Sequence, residues 1–197
     1  SGADTAIKLA QSITTTAVNR TVDRITLKLK RNGTITAGKV VWITVETDSS
    51  GPSGTPVTNG TSATVLCTAI SGTAGWVTFS FATAMTLTAS TVYWIVLQGD
   101  YDVSGSNNIE WNIDASSSPY TDGAAYQYDA SWGAVGANQD FLFRLYRDVT
   151  QIMWTDTFYL TNGNSYFVVC TLDRMFYWND GSSAWTDISG YLAAGLF

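Results

Sequence analysis

GWVTFSFATAMTLTASTVYWIVL, from Gly75 to Leu97, is the stretch that decides the fold. From Val77 to Phe81, apolar side chains alternate with Thr and Ser, which is the period of a strand with one polar face. Met85 and Leu87 are predicted to lie in a connection. Val92–Leu97 is then apolar without interruption, which is typical of a strand that is covered on both faces. A half-buried strand followed by a fully buried one predicts two packed layers of β-structure.

The same texture of short strands extends outward from this stretch to Tyr146. We predict further strands at Ile7–Ile13, Ile25–Lys30, Val41–Glu46, Val65–Ala69, Ile109–Ile113, Ala125–Tyr128 and Asp140–Tyr146. Asn32-Gly33 is predicted to turn the chain, and Asp48–Gly60, with its two prolines, is predicted to be a loop. No segment has a convincing helical period. The pattern predicts an all-β fold, an antiparallel two-sheet β-sandwich of jelly-roll type.

Alternation within these strands also predicts which side chains fill the sandwich. The expected core consists of Ile25, Leu27, Val41, Ile43, Val77, Phe79, Phe81, Ile95, Leu97, Phe141 and Phe143. Trp42, Trp94 and Trp154 lie within predicted strands and are expected in the core or in an interface.

The texture changes at the charged pair Arg147-Asp148, so we predict a sandwich over 1–147 and a small β extension over 148–197. The extension ends in an apolar run that would be adhesive if it were exposed. We therefore expect 148–197 to contact other subunits, in a homo-oligomer or a larger particle. The expected contact residues are Trp154, Phe158, Tyr191 and Phe197. In the alternative, the segment folds back on the sandwich and leaves a monomer.

Two stretches resemble each other, Tyr126–Trp132 and Tyr177–Trp185. Each has an aromatic strand end, a turn of Asp and Ser residues, and a Trp that starts the return strand. Two copies do not indicate a repeat protein. They predict two hairpins whose aromatic side chains clamp their turns.

Composition excludes several classes of function. The 197 residues include no histidine, which removes Ser-His-Asp and Cys-His catalysis and nearly all catalytic zinc sites. Cys67 and Cys170 cannot form a metal site alone, and we expect two separately buried thiols rather than a disulfide. No nucleophile motif is present, so we predict that the protein is not an enzyme.

Charge and hydropathy restrict the partners. Charged residues make up 13% of the chain, against roughly 25% in an ordinary soluble domain. No stretch of 18 apolar residues is present, so we expect no membrane insertion. No signal peptide is recognisable and the sequence begins with Ser1, so we expect a processed product, a piece of a longer polypeptide or a tagged protein.

The basic residues are concentrated near the start of the chain. Seven of the ten fall within the first 39 positions: Lys8, Arg20, Arg24, Lys28, Lys30, Arg31 and Lys39. Val40–Phe143 contains carboxylates but neither Lys nor Arg. Together with a pI of about 4.3, this distribution argues against nucleic-acid binding. The basic segment is expected to be the solvated side of two strands, and docking onto an acidic neighbouring subunit is the alternative.

Six carboxylates lie close together in the sequence: Asp100, Asp102, Glu110, Asp114, Asp122 and Asp129. Paired carboxylates can hydrolyse glycosides, and carboxylates with loop carbonyls can bind calcium. Their spacing matches no defined calcium loop, and Asp is favoured in Gly/Ser/Asn turns for local hydrogen bonding. We therefore expect ordinary loop residues and no cofactor, with calcium as the alternative and catalysis the weakest reading.

Aromatic residues interleave with these acids: Tyr101, Trp111, Tyr120, Tyr126, Tyr128 and Trp132. Aromatic platforms flanked by Asp and Asn are how sandwich lectins hold sugar rings. The candidate glycan contacts are therefore Trp111, Trp132, Tyr126, Asp114 and Asp129. Packing at one end of the sandwich is the alternative, and the one we favour.

Short pieces of the first 146 residues occur in a characteristic order: Ala10–Ile13, Val22–Leu27, Val45–Asp48, Gly51–Thr55, Trp76–Phe79, Leu87–Ala89, Val92–Leu97 and Phe141–Tyr146. In order and spacing they resemble the choice-of-anchor R type of β-sandwich module and its relatives in phage virion proteins. The pair Arg174–Trp178 and Trp185–Ile188 is similar to hairpins of phage tail and head-decoration proteins. The resemblance implies a non-catalytic, surface-displayed domain of a larger assembly, and it carries no defined functional residues.

These observations predict a structural or surface-display subunit of a phage particle, in the tail, a fibre or the head decoration. The expected partners are other virion subunits, and the expected location is the virion or the extracellular space. The alternative is a carbohydrate-binding module that recognises cell-surface or extracellular glycans, such as those of a host.

Overall fold

The computed structural model describes residues 8–114, 120, 123–136, 139–147, 152–159, 165–171, 175–179 and 184–187. Two compact units, Ser1–Arg147 and Asp148–Phe197, make up the chain. None of the described residues forms a helix long and apolar enough to cross a membrane. The strands of the first unit are β1 (Lys8–Thr14), β2 (Arg20–Asn32), β3 (Val40–Asp48), β4 (Pro52–Thr61), β5 (Val65–Leu66), β6 (Gly75–Leu87), β7 (Val92–Gly99), β8 (Asn108–Trp111), β9 (Ile113–Asp114), β10 (Ala125–Asp129), β11 (Ser131–Ala134), β12 (Asp140–Phe141) and β13 (Phe143–Tyr146).

Two antiparallel sheets pack against each other in the first unit, which confirms the predicted two-sheet sandwich. Sheet A has the order β11-β10-β1-β7-β3-β4, and β5 also pairs with β3. Sheet B has the order β13-β2-β6, and β8 also pairs with β2. A separate two-stranded sheet joins β9 and β12. A 3-10 turn at Cys67–Ala69 follows β5.

The core forms where the alternating strands of the two sheets face each other. In β2, Ile25, Leu27 and Leu29 are wholly buried. Arg24, which directly follows the register shift in this strand, is exposed. Each large side chain buried in this way stabilises the fold by about 1.5–3 kcal/mol. Of the predicted core, nine side chains are buried: Ile25, Leu27, Val41, Ile43, Phe79, Phe81, Ile95, Leu97 and Phe141. Val77 and Phe143 are only half-buried, because they pack against the margin of this core.

Strand β7 is covered on both faces, as its uninterrupted apolar sequence predicts. Tyr93, Ile95 and Leu97 belong to the main core, whereas Trp94 and Val96 belong to a second buried cluster. Val92 is the exception, because it begins the strand and is 37% exposed. The position of β7 between β1 and β3 explains this burial.

The predicted loop at Asp48–Gly60 is wrong, because most of it forms strand β4. Pro52 pairs opposite Asp48 and Pro56 opposite Glu46, with register shifts between these pairs. Since β4 is the last strand of sheet A, its prolines need not donate to a further neighbour. Gly60 permits the irregular path, since a Cβ there would lie 2.8 Å from the carbonyl oxygen of Val45.

Met85 and Leu87 also differ from their predicted place in a connection. Both lie in β6 and are wholly buried. Strand β6 continues through an irregularity opposite the pair Val22/Arg24 of β2 and then resumes pairing. The inward positions Phe79, Phe81, Met85 and Leu87 keep the same period of two, and only the exposed Thr83 interrupts the buried series. By contrast, the turn at Gly33 is confirmed, with a positive φ of 61°.

Cys67 is a free, buried thiol at the start of the 3-10 turn. Burial raises its pKa to about 11, and the nearby Asp100 carboxylate adds to this rise. The thiol is therefore protonated at neutral pH and behaves as a small apolar side chain. The expectation of a separately buried thiol is confirmed for Cys67, while the Cys170 side chain lies outside the described residues.

The second unit contains four strands in sequential order, β14 (Ile152–Tyr159), β15 (Ser165–Thr171), β16 (Met175–Asn179) and β17 (Ala184–Asp187). Trp178 pairs opposite Trp185, as the predicted hairpin requires. Trp154 and Phe158 lie in β14, but their side chains are outside the described part of the chain. Tyr191 and Phe197 lie outside the described residues altogether. Assembly through these four side chains stays a prediction.

Candidate functional site

The outward side of sheet A carries a cluster of aromatic and small side chains. We call it the outer aromatic face and define it by Ala10, Trp94, Val96, Tyr126, Tyr128 and Trp132. Register brings them together, because Ala10 lies opposite both Val96 and Tyr126. Trp132 lies opposite Tyr128 across the β10–β11 hairpin. Period-2 alternation points all of these side chains away from the main core.

The face has a buried base and a more accessible rim. Trp94 is only 4% exposed, whereas Tyr126, Tyr128 and Trp132 are half-buried. The rings of Trp94 and Tyr126 have centroids 4.7 Å apart and are tilted by 56°. Tyr128 meets Trp132 edge to face at 5.3 Å. Such contacts hold the ring positions before any ligand arrives.

Asp48 anchors the base of the outer aromatic face. Trp94 Nε1 donates a 2.7 Å hydrogen bond to Asp48 Oδ1, and the Gly51 amide donates to the same oxygen at 3.2 Å. These bonds, led by the one from Trp94, lower the pKa of the Asp48 carboxyl below its usual value of 3.8. The carboxylate is therefore charged at neutral pH, and it lies at the exposed end of β3.

Glu46 is a buried carboxylate on the same side of sheet A, 4% exposed. Thr44 Oγ1 donates to Oε1 at 2.8 Å, and the Gly54 amide donates to Oε2 at 2.7 Å. Gln98 Nε2 in turn donates to Thr44 Oγ1 at 2.8 Å. Both carboxylate oxygens thus accept protein hydrogen bonds. Glu46 fastens the irregular strand β4 to the sheet rather than facing a ligand.

The prediction that Trp111 contacts a glycan is wrong, because this side chain is buried. The side chain is 3% exposed, and its ring stacks on Phe141 with centroids 4.7 Å apart. Its Nε1 donates to the Leu142 carbonyl oxygen at 2.9 Å. The inward side of β8 places Trp111 in the sandwich core, so it offers no platform to a sugar. Asp114 lies on β9, opposite Asp140, in a different sheet from the outer aromatic face.

The structure does bring Tyr126 and Trp132 together, on one face of one hairpin. Asp129 is exposed at the turn of that hairpin, directly after Tyr128. Sequence reasoning missed Trp94 and Asp48 as partners of this cluster. An apolar run does not say which of its residues face outward, and the pairing of Asp48 with Trp94 depends on the register of β3 and β7.

Two of the other clustered carboxylates, Asp100 and Glu110, have structural partners, and Asp122 lies outside the described residues. Asp100 Oδ1 accepts the Val40 amide at 2.7 Å, and Glu110 Oε2 lies 3.4 Å from Lys30 Nζ. Tyr101 is buried, which raises the pKa of its phenol, and its oxygen accepts the Ile109 amide at 3.1 Å. Among the residues that the structure describes, no group of three or more His, Cys, Asp or Glu side chains could hold a metal ion. Calcium binding stays an untested alternative.

The outer aromatic face combines part-exposed rings with a charged carboxylate at its margin, a set that can stack on and hydrogen-bond to a sugar. Comparison with protein-family models, curated proteins and solved structures gives no match for this chain. The function therefore has to be inferred from the residues themselves.

Proposed function

We propose that this chain is a non-catalytic surface-display subunit of a phage particle whose outer aromatic face contacts a carbohydrate. One observation supports the carbohydrate ligand: the side chains of Tyr126, Tyr128 and Trp132 are half-buried and lie beside the buried Trp94. Sugar rings present apolar C–H surfaces that pack on aromatic rings, and their hydroxyls suit carboxylate acceptors such as Asp129.

Preorganisation favours this use of the face. Trp94 is held by its hydrogen bond to Asp48, and Tyr126 packs on Trp94. Because the rings are positioned before binding, a ligand loses little free energy in ordering them. Three of the predicted contacts, Tyr126, Trp132 and Asp129, thus remain in the proposal, while Trp111 and Asp114 leave it.

Placement on a phage particle is supported by the resemblance of the first 146 residues and by the low share of charged residues, 13%. An exposed aromatic residue of the second unit, Phe167 at 39%, offers one contact for a neighbouring subunit. The proposed partners are accordingly other virion subunits, and the proposed location is the virion or the extracellular space. Capsid, portal or tail genes beside the coding gene would support this placement, and a glycosidase domain in the same polypeptide would favour the carbohydrate-binding module instead.

A glycan array tests the ligand. We expect the wild-type chain to bind a subset of bacterial surface glycans. Trp132→Ala should weaken that binding at least tenfold, by analogy with the stacking of a nucleic-acid base on an aromatic ring, which is worth about 1–3 kcal/mol. Ile113→Ala is the control, because Ile113 is an exposed apolar side chain on β9, in a different sheet from the outer aromatic face. Absence of any bound glycan, or equal losses in the two variants, would remove the carbohydrate from the proposal.

A further inference from the structure

The outward side of sheet B differs in character from that of sheet A. Three cations and two aromatic rings on this side form what we call the cationic face: Arg24, Lys28, Trp76, Arg144 and Tyr146. A further cation on the same side, Lys30, is paired with Glu110. Trp76 is 39% and Tyr146 37% exposed, so both rings are open to a partner. All five side chains alternate with inward residues of β2, β6 and β13.

Strand register brings the cations and the rings together. Lys28 lies opposite Trp76, and Arg24 lies opposite Tyr146. The Arg144 guanidinium lies over the Trp76 ring, with Cζ 4.0 Å from the ring centroid, and Arg24 Cζ lies 5.7 Å from that of Tyr146. A guanidinium stacked on a ring can still donate hydrogen bonds from its in-plane N–H groups. Arg144 uses part of this capacity on the Tyr146 side chain and keeps further N–H groups for an anion.

Carboxylates within the protein neutralise this face only in part. Arg24 Nε lies 3.5 Å from Asp23 Oδ1, but in the described part of the chain no carboxylate lies within ion-pair distance of Lys28 or Arg144. Interaction with Arg144 lowers the pKa of the Tyr146 phenol, as expected beside an excess of positive charge. The face is thus a positive patch on a chain with a net charge of −6.

We propose that the cationic face binds an acidic polysaccharide, a polymer of sugars that bear carboxylates or sulfates. The charge of the polymer complements Lys28 and Arg144, and its sugar rings can pack beside Trp76 and Tyr146. Hydroxyl side chains at Thr78 and Ser80 extend the same face with hydrogen-bonding groups. This site lies on the other sheet from the outer aromatic face and does not depend on the function proposed above.

The spacing of the cations suits a polysaccharide better than duplex DNA. Arg24 and Lys28 are four positions apart on β2, or about 13 Å at ~3.3 Å per residue. Duplex DNA carries one charge per ~1.7 Å, so few of its phosphates would find a cation here.

Binding of the full chain to four immobilised polymers tests the proposal: heparin for sulfates, polygalacturonate for carboxylates, dextran as a neutral polysaccharide, and duplex DNA. We expect binding to heparin or polygalacturonate that weakens as salt is raised, with little binding to dextran. Which of the two acidic polymers binds more tightly identifies the acid group. No binding to either, equal binding to dextran, or tighter binding to DNA would overturn the proposal.

Variants locate the binding on the molecule. Arg144→Gln should weaken binding at least fivefold, whereas Lys39→Gln, which removes the same charge elsewhere, should leave it within twofold. Equal losses in the Arg144 and Lys39 variants would show that binding follows net charge alone and would refute a defined site. Circular dichroism of each variant checks that it is folded.

Discussion

At the scale of single residues, Asp48 connects the outer aromatic face to the stability of the fold. Its carboxylate accepts hydrogen bonds from Trp94 Nε1 and from the amides of Ser50 and Gly51. The first fixes the indole, and the other two close the turn between β3 and β4. The same charged group therefore positions a ring of the candidate site and ends a strand.

This arrangement predicts a pH-dependent contribution from Asp48. Because its folded pKa lies below the ordinary value of 3.8, the carboxylate stabilises the fold above that value. The stabilisation is lost as pH falls through the lowered, folded pKa. Urea unfolding should show Asp48→Asn less stable than wild type by a constant amount from pH 5 to pH 8, with the difference shrinking below about pH 4. A difference that is unchanged at pH 3 would contradict the assignment.

At the scale of elements, the β10–β11 hairpin determines the rim of the outer aromatic face. Asp129 and Ser131 pair across Ala130, which has a φ of 61°. A left-handed conformation at a non-glycine residue costs about 1–2 kcal/mol, and Asn tolerates it better than Ala. The turn is therefore strained, while the facing Tyr128 and Trp132 clamp it from one side.

Relief of that strain is measurable. We expect Ala130→Asn to raise the free energy of unfolding by about 0.5 kcal/mol and Ala130→Val to lower it by about 1 kcal/mol, since a β-branched residue disfavours positive φ. Urea titrations followed by tryptophan fluorescence would measure both. Ser131→Val, one position along and in the strand, provides the comparison. If Val were tolerated equally at both positions, the turn would not have the observed backbone conformation.

Period-2 patterns in the sequence predicted most strands of the sandwich and the inward face of those that alternate clearly. Leu27 and Ile43 could be assigned to the core because polar residues alternate with them. Trp111 could also have been assigned to the core, because the sequence of β8 alternates polar and apolar residues and its burial follows that alternation. Strand β4 was not predicted, because prolines usually end strands. Pro52 and Pro56 are acceptable in β4 only because this strand lies at the edge of the sheet.

At the scale of the whole molecule, the first unit presents two chemically different faces. The concentration of basic residues before Val40 is visible in the sequence, but the cationic face is not. Its third cation, Arg144, is far from Arg24 in sequence and joins it only because β13 pairs with β2. Likewise, Trp94 reaches Tyr126 only because β1 lies between β7 and β10. Long-range pairing of this kind cannot be deduced from local patterns.

The division into two units predicts that the sandwich folds without residues 148–197. Among the side chains that the structure describes, every buried hydrophobic one except that of Val168 lies between Ala10 and Phe141, within the first unit. A chain truncated after Arg147 should therefore keep its urea midpoint. If residues 148–197 carry the assembly contact, light scattering should show the full chain as an oligomer and the truncated chain as a monomer. Monodisperse monomers in both cases would refute assembly through the second unit, and an unfolded truncated chain would show that the sandwich needs that unit to fold.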